Sequence, residues 1–116
     1  MDSEKNMFGL QHIIDCIEKI EIITKDLSYS SYLEDWIKQD AIIRNIEIIG
    51  EASKHVEDEL KEKYPEVSWI LIKRMKNFLV HEYFIVDHDA VWNTSHSDLP
   101  NLKFQIIAII NDIKKV

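Results

Sequence analysis

The sequence has one cysteine, two glycines and two prolines in 116 residues, and no apolar run long enough to cross a bilayer. The single cysteine, Cys16, excludes an internal disulfide, and without a CxxC partner it offers no metal or redox site. It is expected to be a small core residue of the first helix. So little glycine and proline leaves little turn chemistry, and no stretch alternates apolar and polar residues as a half-buried strand does. Apolar residues make up 46% and charged residues 30% of the chain, which excludes a disordered or collagen-like polymer. The opening residues, MDSEKNMF, lack the apolar core of a signal peptide. A soluble, cytoplasmic protein of one domain, residues 1–116, is therefore expected, with no membrane partner.

Positive charge is also in short supply. Fourteen lysines and arginines stand against 21 aspartates and glutamates, a formal net charge of -7. That balance argues against coating nucleic acid by bulk attraction, though not against a local basic cleft. The densest cationic cluster before Lys114 and Lys115 is Lys73, Arg74 and Lys76, while acids gather elsewhere, notably at Glu57, Asp58, Glu59 and Glu62.

What the chain does contain is helical period. Phe8, Ile13, Ile17 and Ile20, with Leu10, Ile14 and Ile23, recur at steps of three and four and predict a first helix from about Lys5 to Asp26. LSYSSY reads as a connection in which Ser30 or Ser31 caps a second, long helix. That helix carries Trp36, Ile37, Ile42, Ile46, Ile49, Val56 and Leu60 toward one side and ends before Tyr64-Pro65. About thirty residues at roughly 1.5 Å each would span about 45 Å, more than a small bundle needs for its own core. Ile43 and Ile48 widen its apolar surface, and Gly50 marks a place for a second backbone to approach, so a homodimer is expected.

Ser68 is a candidate cap for a third helix from about Trp69 to His81, Asp87 for a short fourth helix around DHDAVWNTSH, and Asp98 with Pro100 starts a fifth. The expected architecture is all-α: an antiparallel bundle of four main helices plus one short one.

The chemistry, if any, lies in KRMKNFLVHEYF. "HEY" opens like the HExxH zinc motif, but the second histidine would fall at Ile85, so that motif fails. Asp87, His88 and Asp89 sit at an expected helix start, where capping explains them better than a metal does. Neither a glycine-rich phosphate loop nor a GxSxG elbow is present, and no metal or cofactor is expected. On a helix, Arg74, Asn77 and His81 share one face and Lys76 and Tyr83 an adjacent one. An imidazole that titrates near neutrality beside cations able to hold a phosphate supplies the parts for metal-free RNA cleavage. The competing reading is a hydrogen-bonded structural histidine on a basic surface helix.

The blocks AIIRNIEIIGEASKHV, MKNFLVHEYFIVD and VWNT with DLPNLKFQI, in that order, resemble the HepT family of HEPN-domain toxins, ribonucleases paired with minimal nucleotidyltransferases. The resemblance implies a dimeric HEPN-like helical bundle whose two motif copies meet in a cleft. It also implies metal-independent cleavage of RNA, with tRNA as the target, and neutralisation by a nucleotidyltransferase antitoxin in a toxin–antitoxin pair of the type VII kind. The family motif is an arginine, a polar residue, three positions, histidine, one residue, tyrosine. Asn77, His81 and Tyr83 match it, and Tyr83 would be the acceptor of AMP from the antitoxin. Lys76 stands where the family has arginine. A lysine is a mobile point charge without arginine's bidentate fork, so three outcomes are open: Lys76 suffices, Arg74 takes over, or the domain serves as a non-catalytic binding partner of the nucleotidyltransferase. Arg44, Glu47 and Glu51, also in the family-like blocks, are read as a helical salt-bridge series.

Overall fold

The computed structural model describes residues 2–75 and 86–115, and every regular element in them is helical. The first helix, α1 (Ser3–Thr24), starts at Asp2, whose carboxylate accepts the Lys5 N–H. It buries Leu10, Ile13, Ile14, Ile17 and Ile20 along one stripe. Cys16 is buried there too, and burial pushes its thiol pKa up. Phe8, expected inside, is 54% exposed. Asp26 closes the helix region in the left-handed conformation, φ 58°, one that Asp tolerates better than most residues.

The long second helix is three pieces. A short helix, α2 (Tyr29–Glu34), is capped by Ser28 rather than by Ser30 or Ser31. Asp35 then leaves the helical conformation and caps α3 (Trp36–Ala52) by accepting the Lys38 N–H. A 3₁₀ turn (Ser53–His55) follows, and extended backbone at Val56 and Glu57 separates it from α4 (Asp58–Lys63). The cause of this second break is visible. Asn6 is 1% exposed; its side-chain oxygen accepts the Glu57 N–H at 2.8 Å, and its amide donates to the Glu57 carboxylate. The same carboxylate accepts the Asp2 N–H. Backbone that would have continued a helix is thus satisfied by α1 instead.

Gly9 lets this happen. A Cβ there would lie 2.8 Å from the Ala52 carbonyl oxygen and 3.0 Å from Val56 Cγ2, so the start of α1 presses directly on the end of α3 and the two run antiparallel. Gly50 is buried within α3, its carbonyl accepting the Ser53 hydroxyl. Splitting the helix also reorients its first turn: Trp36 and Ile37, expected on the core side, are 68% and 63% exposed.

Next comes α5, described over Trp69–Arg74; its predicted continuation to His81 lies outside the described residues. Ser68 holds the N-cap position but makes no side-chain capping bond. The final part is α6 (His88–Asn93), a π-helical turn (Thr94–Asp98) and α7 (Leu99–Lys114). Asp87 caps α6 as predicted, accepting the Ala90 N–H. The break expected at Asp98 is absent: Asp98 has helical φ/ψ and no capping bond. Pro100 lacks an N–H for the preceding turn, and the widened π turn before it accommodates the missing bond. The α7 stripe Leu99, Leu102, Ile106, Ile109 and Ile110 joins the shared core. Lys103 on α7 reaches Glu21 near the end of α1, so these helices are antiparallel as well.

An aromatic latch ties α2 to α6. Tyr32 is fully buried, and its hydroxyl shares a hydrogen bond of 2.7 Å with His88 Nδ1. The Tyr29 hydroxyl donates to Asp89, and Trp92 packs against both tyrosines. No helix among the described residues is long and apolar enough to cross a membrane.

Gly9→Ala is expected to lower stability by about 1–3 kcal/mol through the clash with a backbone carbonyl, although alanine gains about 1 kcal/mol in helix propensity; thermal melts followed by circular dichroism read the sign. Tyr32 gives a second expectation. Burial pushes its phenol up to about 12, against about 10 in an unfolded chain. Folding therefore retains a proton in that window, and the stability it contributes below about pH 10 is lost as pH rises toward about 12. Tyr32→Phe should flatten, without abolishing, the alkaline fall in urea midpoint, because Tyr29 and Tyr64 are also shifted upward.

Candidate nucleic-acid interface

Of the residues singled out for chemistry, Arg74 lies within the described part. Lys76, Asn77, His81 and Tyr83 lie outside it. What the described structure shows is how the two ends of that segment are held.

On the leading side, α5 is short but firmly seated. Ile72 and Met75, three apart, are 1% and 2% exposed, which turns Lys73 and Arg74 outward into solvent. The turn before α5 is built by backbone bonds from Val67 to Tyr64 and from Trp69 to Val67. The Trp69 indole N–H adds a bond to the Tyr64 carbonyl. Lys61 of α4 lies over the Trp69 ring, its ammonium 5.8 Å from the centroid, a cation–π geometry. Burial holds the Lys61 ammonium below its usual pKa; Lys73's positive charge acts the same way and Asp58 opposes it. Lys61, Lys73 and Arg74 thus make a positive edge on an acidic molecule. Lys61 was not singled out from the sequence: it sits in the acid-rich run Glu57 to Glu62, and its contact forms only once α4 folds back toward α5.

On the trailing side, Asp87, His88 and Asp89 are each engaged within the fold. Asp87 caps α6, His88 bonds Tyr32, and Asp89 accepts from Tyr29. Among the described residues no group of three or more histidine, cysteine, aspartate or glutamate side chains is placed to hold a metal ion. At the end of α3, Glu51 pairs with Lys54 at 3.1 Å, an exposed contact worth a few tenths of a kcal/mol at most.

Between α5 and the start of α7 lies a cleft of about 130 Å³, floored by Ile72, Met75 and Leu102 and rimmed by Glu66, Asp98, Asn101 and Gln105 among others. Met75, which directly follows Arg74, and Leu71, three residues before it, both line the cleft, so it adjoins the positive edge.

Comparison with known proteins gives this edge a context. The family described as "Ribonuclease HepT-like" matches residues 13–109, a span that includes Arg74, Lys76, Asn77, His81 and Tyr83. A protein of Thermococcus cleftensis named "Probable ribonuclease HepT" is 42% identical over 94 residues, 81% of this chain and 86% of that protein. One from Caldanaerobacter subterraneus, named as a "Putative RNase", is 34% identical over 90% of this chain and 94% of its own length. A longer protein of Methanocaldococcus jannaschii, whose name joins gamma-glutamylcyclotransferase to "putative RNase", is 40% identical over 91% of this chain, which spans 48% of that protein. No solved structure matches. The chain belongs to the HepT-like ribonuclease family.

Proposed function

We propose that the protein is a metal-independent endoribonuclease, the toxin of a toxin–antitoxin pair, acting on tRNA at a cleft formed by two copies of the chain. The observation that carries the reading is the family match across residues 13–109, joined to a positive edge at Lys61, Lys73 and Arg74 that leads into the motif. In this mechanism His81 takes the proton of a ribose 2′-hydroxyl. The 2′-oxygen bonds to the adjacent phosphorus, the bond to the 5′-oxygen breaks, and that oxygen leaves with a proton. Lys76 and Arg74 hold the phosphate and its developing charge, and Asn77 orients it or the imidazole. Self-association is supported by two adjacent large apolar side chains left in solvent at the start of α3, Trp36 and Ile37, 68% and 63% exposed.

Regulation follows from the motif tyrosine. A partner nucleotidyltransferase that places AMP on Tyr83 would add bulk and negative charge beside His81 and cancel the local positive field. The second reading is a non-catalytic helical partner of that nucleotidyltransferase, favoured by Lys76 standing in the arginine position.

Purified protein incubated with tRNA and EDTA is expected to cut it, and His81→Ala to slow the cut by about 10²–10⁴-fold. Intact tRNA with the unaltered protein, alongside a nucleotidyltransferase complex indifferent to His81→Ala, would transfer support to the binding-partner reading. Coexpression with a partner nucleotidyltransferase and ATP is expected to yield AMP on Tyr83, read by peptide mass spectrometry; AMP on a different residue would sink that assignment.

A further inference from the structure

The cleft beside Arg74 has a chemistry of its own. Its floor of Ile72, Met75 and Leu102 suits a flat apolar face, while its rim adds two acidic residues, Glu66 and Asp98, to the amides of Asn101 and Gln105 and the hydroxyls of Ser68 and Ser97. Glu66 and Asp98 bring carboxylates. Gln105 spends its amide N–H on the Glu66 carbonyl at 3.2 Å, which leaves its side-chain oxygen as a further acceptor. Asp98 makes no capping bond to α7, so among the described residues its carboxylate is not committed to the helix it precedes. Asn101, exposed one turn on, offers both a donor and an acceptor.

Such a rim repels phosphate, because two carboxylates face a like charge. It favours a neutral planar group that presents N–H donors. Unpaired bases are read in this way, stacked on apolar surface and hydrogen-bonded along their edges, and carboxylates pair with exocyclic amino groups. Arg74 follows Leu71 by three residues and precedes Met75, so an exposed cation belongs to the helix that forms one wall of the cleft.

We infer that the cleft between α5 and α7 is a base-recognition subsite, taking an unpaired nucleobase with an exocyclic amino group and disfavouring uracil, whose edge offers two acceptors around one donor. The inference rests on the ribonuclease reading for its substrate class.

The test uses fluorescent pentanucleotides with 2′-O-methyl riboses, which lack the nucleophile and stay intact: all-uracil, and three others with guanine, adenine or cytosine at the centre. Anisotropy with the full-length protein is expected to show the amino-bearing strands bound about five- to tenfold tighter, and Glu66→Gln with Asp98→Asn, or Asn101→Ala, to bring that ratio within about twofold. All three residues are exposed, and circular dichroism confirms that the variants fold. Equal binding of the four strands, no binding, or a preference unchanged in the variants overturns the subsite. Parallel incubations with unmodified RNA keep the two ideas apart. Uncut RNA together with a rim-dependent preference defeats the ribonuclease reading and supports the subsite, whereas cleavage without any preference does the reverse.

Discussion

Everything downstream in the fold depends on the contact between the start of α1 and the end of α3. Gly9 removes the side chain that would hold the two backbones apart, and Asn6 supplies the hydrogen bonds that a continuing helix would have supplied to Glu57. Each needs the other. Without the close approach Asn6 could not reach Glu57, and without Asn6 the Glu57 N–H would be left short of a partner beneath partly buried surface, at a cost of about 1–3 kcal/mol. With both in place the chain turns at Val56, α4 folds back, and Lys61 comes to rest over Trp69. A local exchange of hydrogen bonds therefore decides where the positive edge forms.

The described chain on either side of the motif is seated by two unlike contacts. Ahead of it, Ile72 and Met75 are driven into the core by apolar burial, an interaction that tolerates changes of shape better than changes of polarity. After it, Tyr32 and His88 meet through one directed hydrogen bond inside a cluster of rings. Such a bond specifies angle as well as distance. The apolar anchor thus tolerates repacking, whereas the polar anchor fixes an angle.

The stripes on α1 and α7 were legible in the sequence because their apolar period is long and regular, and so were the core role of Cys16 and the Asp87 cap. The break of the predicted long helix was not. Its apolar residues continue in register across Ser53 to Leu60, and the residue that stops it, Asn6, is some fifty positions away; no local pattern records a tertiary hydrogen bond. Pro100 misled in the opposite sense. It reads as a helix start, yet the π turn before it carries α6 into α7 without a gap. At the site, Arg74 and the motif stood out by spacing and resemblance, whereas Lys61, Tyr32 and His88 acquire their roles from partners on other helices. The polar rim is likewise drawn from Glu66, Asp98, Asn101 and Gln105, residues that look like ordinary solvent-facing polar positions until α5 and α7 are side by side.

The substitution of lysine at position 76 can be weighed against this frame. Two demands fall on the family arginine: attraction of the phosphate and its orientation. In that mechanism attraction would come from several groups: Lys73, Arg74 and the partly desolvated Lys61. Orientation is not duplicated. Ammonium groups are mobile point charges, and the flat donor fork at this edge belongs to Arg74. Arg74 is fixed by a helix whose next residue, Met75, is buried, so its starting position is well defined even though its head is in solvent. The proposed chemistry therefore depends less on whether Lys76 is charged enough than on whether Arg74 and Asn77 together can direct a phosphate that the rest of the edge would attract.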